Sequence, residues 1–337
     1  MSERSVTPGN EAARARRRLL LRVAGSVLAL ALLLALLPRQ ELWAALHALP
    51  VSAWPLSVAA YLGAHLLGVV KWRLLVNSAG AGLGARRATC AYYWGLFGNL
   101  FLPSIVGGDV VRAGVALNVV RSRTGLLLGS LVDRVQDVVG LVVLAALGAL
   151  LSPRALDAQS ARIFTWFLLL FGSLALAGGM ALLLFPFRRL SFRLRRKLVL
   201  VRRAMLAAAS RPARLALAFG LGLALQSALI VLNWSLGRAI GIDIPLYVWF
   251  FVWPLAKIAA LLPVTQGGVG VREAAQAALF APFGVSAVMA VAVGLVFEAV
   301  LFAGGLVSAA ISLALRERFR GVTTVAALGP PSGVGRR

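Results

Sequence analysis

The chain has 337 residues, 60% of them hydrophobic, and a mean hydropathy of +0.88; apolar runs such as 19–37 and 125–151 exclude a soluble domain and predict an all-α polytopic membrane protein. The 35 Lys+Arg against 11 Asp+Glu give +24, but the basic residues cluster between apolar runs, as cytoplasmic loops require, so the charge does not indicate nucleic acid. One cysteine, Cys90, excludes an internal disulfide, and with His47 and His65 as the two histidines neither a metal site nor a redox cofactor is expected.

Residues 1–18 form a polar tail ending in Arg14, Arg16, Arg17 and Arg18. The run 19–37 exceeds a signal-peptide apolar region and has no small-residue cleavage site after it, so it reads as an uncleaved first helix. Residues 54–70 make the next span. Lys71, Arg73, Arg86 and Arg87 follow it, which places the N-terminus and this loop on the cytoplasmic side. Residues 89–101 would reach about 20 Å as a helix, against roughly 30 Å of hydrocarbon. Pro103 and Gly107-Gly108 then break the pattern before a second short helix over 109–120. This predicts a re-entrant hairpin dipping in from the cytoplasm, with a pair of full spans as the alternative.

Residues 125–151 cross outward although they carry Asp133, Arg134 and Asp137, and 163–185 cross back. The basic stretch 187–212 must be cytoplasmic. In it Leu194, Leu198, Val201 and Met205 share a helical face, with Arg195, Arg196, Arg202 and Arg203 off that stripe. It is either an interfacial helix on anionic inner-leaflet lipid or a solvated loop that sets topology. Residues 213–236 cross outward, 247–261 enter from outside, 263–270 break the helix and 271–280 return. Residues 285–315 make the last inward crossing, ending at Arg316, Arg318 and Arg320. A cytoplasmic tail over 321–337 is expected to be disordered, leaving a single transmembrane domain over 19–320.

Two of these segments share a skeleton. Leu102-Pro103 is followed after three residues by Gly107-Gly108 and after three more by Arg112; the same pattern recurs 160 positions on, from Leu262-Pro263 through Gly267-Gly268 to Arg272. The same displacement carries 54–70 onto 214–230 and 124–150 onto 284–310, which indicates duplication. The span between the copies reverses direction. The expected architecture is therefore six spanning helices plus two re-entrant hairpins in an inverted-topology repeat, with halves at 54–151 and 213–315 and a transport site near the midplane.

Each second half-helix starts at a Gly-Gly, so its free N–H groups and positive dipole end suit an anion; close helix packing is the plainer use of the glycines. Arg112 and Arg272 lie one turn further on and suit bidentate contact with a phosphate, or an internal ion pair, Arg112 with Asp109 and Arg272 with a more distant acid. Asp133, Arg134 and Asp137 lie about 14–20 Å into their helix, where charges are expected to be functional or mutually paired. Glu298 occupies the comparable place in the second half, and Lys257 is a candidate counter-ion. Asp133 and Asp137 share a helix face, so a magnesium-dependent lipid transferase is weighed; without a second acidic cluster, a non-enzyme is expected. His65 reads as a packed histidine rather than a proton relay. Trp43, Trp54, Trp72, Trp249 and Trp253 lie near span ends and read as interfacial anchors.

Asn99, Leu102-Pro103, Gly107-Gly108-Asp109, Arg112, Asp133-Arg134, Pro263, Gly267-Gly268, Gly270 and Arg272-Glu273 together resemble the flippase-like, lysylphosphatidylglycerol synthase transmembrane-region family, over most of 20–315. The resemblance implies a membrane module that moves a polar lipid between leaflets of the cytoplasmic membrane, here expected without the soluble aminoacyl-transfer domain of the larger members. It carries the substrate-binding role to these matching positions. Two function classes follow: a lipid flippase for an anionic or phosphate-bearing lipid, and a non-transporting membrane partner of a lipid-synthesising enzyme in a lipid-modifying, glycolipid or hopanoid pathway. Midplane charge favours the first, because a scaffold has no use for its cost.

Overall fold

The computed structural model describes residues 47–101, 107–151, 210–260 and 270–323, with isolated positions between 40 and 44 and between 198 and 202. These residues form helices α1 (Ala53–Ser78), α2 (Ala85–Phe101), α3 (Gly107–Leu117), α4 (Arg123–Leu150), α5 (Pro212–Ala239), α6 (Leu246–Ala259), α7 (Val271–Phe280) and α8 (Ala287–Thr323), with a 3-10 turn at Ala281–Phe283 after α7. Three segments, Ala53–Ser78, Pro212–Ala239 and Ala287–Leu315, are long and apolar enough to cross a bilayer. At 28 residues α4 is as long as α5, but Asp133, Arg134 and Asp137 interrupt it. The described residues form an all-helical bundle of a membrane-embedded protein.

Helix α7 falls on the residues expected. Helix α2 begins at Ala85 rather than 89, and α8 runs on to Thr323, past the point where the tail was expected to begin. The first helix over 19–37, the return span 163–185 and most of 187–212 lie outside the described residues. So do Pro103, Pro263, Gly267 and Gly268.

Close backbone approach positions the polar interior. Helix α1 packs lengthwise on α5, α4 on α6, and α8 on α2. On α4 the i,i+4 stripe Gly125, Gly129, Asp133, Asp137 faces α1. A methyl group on Gly125 would lie 2.4 Å from the Ala79 carbonyl oxygen, and one on Gly129 would lie 2.4 Å from the Val76 Cα. The two glycines thus let α4 touch the α1 backbone, and the two aspartates one and two turns later meet the Lys71 side chain. The Trp72 indole donates to Ser130 Oγ at 2.9 Å and fixes the register.

Helices α2 and α3 approach just as closely. A Cβ on Gly108 would stand 2.3 Å from the Gly95 carbonyl oxygen and 2.2 Å from Asn99 Oδ1. At its real position, the Gly108 N–H donates to that Asn99 oxygen at 2.8 Å, so a side chain on α2 takes one of the free donors at the start of α3.

Two expectations are corrected. The span expected over 54–70 does not stop at 70: α1 continues to Ser78, and Lys71, 1% exposed, lies inside the bundle rather than in a cytoplasmic loop. Trp72, Trp249 and Trp253 are 0%, 0% and 2% exposed and pack in the core. Their helices extend beyond the ends inferred from hydropathy or turn inward, so these rings meet protein, not headgroups. Trp43 is exposed and Trp54 half-buried, as an anchor would be.

Candidate functional site

Six charged side chains from α1, α3 and α4 form a closed ring of alternating sign. Lys71 Nζ lies 3.1 Å from Asp133 Oδ1, and Arg112 lies 3.0 Å from the other Asp133 oxygen. Arg112 also contacts Asp109 at 3.0 Å, Asp109 contacts Arg134, Arg134 reaches Asp137 at 3.3 Å, and Asp137 returns to Lys71. Three cations meet three carboxylates, so the ring is neutral as a whole. Such pairing is what allows charges to stay inside a membrane protein, because each alone at that depth costs about 2.5–3.5 kcal/mol on insertion scales. The side chains of Lys71, Arg112 and Asp133 are at most 4% exposed, whereas Arg134, at 42%, forms the accessible edge.

The second half carries a smaller counterpart. Arg272 at the start of α7 contacts Glu273 at 2.7 Å and also Glu298 on α8. Glu273 Oε2 accepts from the Gly270 N–H at 2.6 Å, closing the first turn of α7 on itself. Gly270 has φ +84°, a left-handed conformation that a side chain would strain. The two arginines have matching surroundings: Arg112 lies over the rings of Trp72 and Tyr92 at 4.6 and 5.2 Å, and Arg272 over those of Trp253 and Phe297 at 5.4 and 5.9 Å. In both, the buried Nε–H has no acceptor among the described residues.

Each helix start has one backbone donor in use. Asn99 occupies one N–H of α3, and the Glu273 carboxylate occupies one of α7. Within the trio Arg134 pairs with Asp137, whereas Asp133 takes partners outside it. Successive helical residues point about 100° apart, so Asp133 turns to Lys71 and Arg112 while Arg134 turns to Asp109 and Asp137. The Arg112–Asp109 pair is found, with Asp133 as a further partner. Arg272 takes the neighbouring Glu273 as well as the distant Glu298.

Lys257, on the last turn of α6, donates to Gln226 Oε1 at 2.9 Å. His65 Nδ1 lies 3.3 Å from the Tyr92 hydroxyl, and its ring packs edge-on against Tyr61 with centroids 4.5 Å apart, so it is a packed histidine. Sequence reasoning missed Lys71 and Gln226. Lys71 stands three residues after Gly68 and four before Leu75, on the buried stripe of α1; that periodicity is the available signal, and Arg73, two residues on, masks it.

Together the long apolar helices and the self-neutralising polar interior define a polytopic membrane protein with buried charge at its core. The chain belongs to the lysylphosphatidylglycerol synthase TM region family, whose sequence model matches residues 19–309. That membership relates it to lipid metabolism. No curated protein and no solved structure matches the chain.

Proposed function

We propose that the protein is a lipid translocator: it moves a lipid with a phosphate-bearing or otherwise anionic headgroup between leaflets of the cytoplasmic membrane, without chemistry on the lipid. The observation that carries this reading is the pair of arginines, Arg112 and Arg272. Each is held by carboxylates and aromatic faces inside the bundle, and each keeps a buried Nε–H without an acceptor among the described residues. A buried donor left unmade is costly and calls for an explanation. A headgroup oxygen arriving at that N–H supplies one.

The architecture behind the proposal is six spans and two helical hairpins in inverted topology, with both termini cytoplasmic. Helix packing supports it. Under the 160-residue displacement α1, α2–α3 and α4 correspond to α5, α6–α7 and α8, and the packing of α4 on α6 has its counterpart in that of α8 on α2. The α1–α5 contact then lies on the pseudo-twofold axis. Inverted repeats place their broken helices around a midplane site that opens alternately to each side. Arg112 and Arg272 would be the equivalent gates, each exchanging a carboxylate for the headgroup in turn.

The test is to identify the lipid that copurifies with the protein and follow access to its headgroup in proteoliposomes. Faster exchange between leaflets than in protein-free vesicles supports translocation; equal rates overturn it.

A further inference from the structure

The interior charges are unequally committed. The chain has three lysines, at 71, 197 and 257. Two of them meet α5 one turn apart. Gly222 lies under Lys71, whose Nζ would be 3.3 Å from a Cβ at that glycine, and Gln226, four residues on, holds Lys257. An ammonium group has three donors. Lys71 spends its donors on Asp133, Asp137 and the Asp133 carbonyl. Among the described residues Lys257 has Gln226 as its one hydrogen-bond partner and no carboxylate within ion-pair distance.

Charge balance points to the same residue. The six-membered ring is neutral, Arg272 with Glu273 and Glu298 carries one surplus negative charge, and Lys257 is the remaining positive charge. Gln226 gives its carbonyl oxygen to Lys257. An ammonium group whose remaining donors meet no acceptor among the described residues suits a phosphate oxygen and offers nothing to a cation. Lys257 is half-buried, so its charge acts through weaker screening than at a surface.

We propose that Lys257, held by Gln226, is a docking point for the phosphate of the lipid headgroup in addition to the Arg112 and Arg272 gates. This rests on the translocation reading for its substrate, but it assigns a site that the motifs do not contain. The shared chemistry is a phosphate group, from a phospholipid or as free phosphate.

The purified full chain in detergent is treated with a small amine-acylating reagent, and acylation at each lysine is read by peptide mass spectrometry. Short-chain phosphatidylglycerol should protect Lys257 while leaving Lys197 unchanged, and short-chain diacylglycerol should not protect. Equal protection by inorganic phosphate would overturn the lipid source, and no protection by either would overturn the site. A second reading covers low reactivity of Lys257: phosphatidylglycerol should raise the melting temperature of the parent and of Lys257→Arg, whereas Lys257→Gln should need about 10-fold more lipid or beyond for the same shift. An unchanged dose response in Lys257→Gln overturns the proposal. The two readings fail separately. Lipid movement in proteoliposomes with no phosphate effect at Lys257 removes the site alone; protection of Lys257 with no lipid movement removes translocation alone.

Discussion

Arg112 and Asp133 meet at 3.0 Å across 21 residues of sequence, and neither side chain is more than 4% exposed. The contact ties α3 to α4, and through the second Asp133 oxygen it ties both to Lys71 on α1. A single carboxylate therefore joins three helices, two of them short or interrupted by charge, that apolar packing alone would hold weakly.

Asp133→Asn should destabilise the bundle, because it leaves Lys71 and Arg112 without part of their compensation and gives the ring a net positive charge. Losing one partner of a buried pair costs about 3–5 kcal/mol, so the melting temperature in detergent should fall by roughly 5 °C or more. Adding Lys71→Met restores neutrality and should recover part of the loss. Unchanged melting in the single variant would show that the ring does not bear on stability.

Gly108→Ala should disrupt the α2–α3 crossing, since its methyl group would lie 2.2 Å from Asn99 Oδ1 and 2.3 Å from the Gly95 carbonyl oxygen. Overpacking of this kind costs about 1–3 kcal/mol, more where backbone must move. Gly114→Ala on the same helix meets open space and, by removing a helical glycine, should be neutral or stabilising by up to about 1 kcal/mol. Thermal melts of the two variants side by side check the difference; equal behaviour would contradict the close crossing.

The proposed inverted repeat would put the two hairpins on opposite faces of the membrane. With Cys90 replaced, single cysteines are placed at Ser122, the N-cap of α4, and at Ser286, just before α8. An impermeant thiol reagent applied to intact cells should label position 286 and spare 122. Labelling of both, or of neither while permeabilised cells label both, would refute opposite orientations.

Much of the fold was legible because its signals are local. Hydropathy located α1, α4, α5 and α8 to within a few residues at most ends, and the short apolar segment between Gly270 and the Pro282 turn gave α7 outright. The two helix ends that run furthest past expectation, those of α1 and α8, are ends where charge in the sequence reads as a stop signal. Lys71-Trp72-Arg73 carries two positive charges, yet α1 continues for five residues beyond Arg73 because Lys71 is neutralised by Asp133 and Asp137 from another helix. Composition cannot report a partner 62 or 66 residues away.

The candidate site was legible as a set of residues but not as a set of pairs. Arg112, Asp133, Arg134 and Asp137 stand out in apolar sequence, and the repeat singled out Arg272. Which carboxylate meets which cation depends on the crossing of α1, α3 and α4 set by Gly125 and Gly129. Asn99 and Glu273, grouped with the motifs, turn out to secure the first turns of α3 and α7.

The most direct measurement is headgroup accessibility over time in proteoliposomes carrying the copurifying lipid, comparing the parent with Arg112→Ala, Arg272→Ala, the double variant and the two lysine substitutions at matched reconstitution. A charge-assisted hydrogen bond contributes roughly 1.5–3 kcal/mol, so losing one arginine should weaken headgroup binding by about 10- to 150-fold. Lysine keeps the charge but not the fork and should restore translocation only in part. Passage of the headgroup past both arginines predicts that the double alanine variant, folded and reconstituted, moves lipid no faster than protein-free vesicles; movement at the parental rate would contradict it.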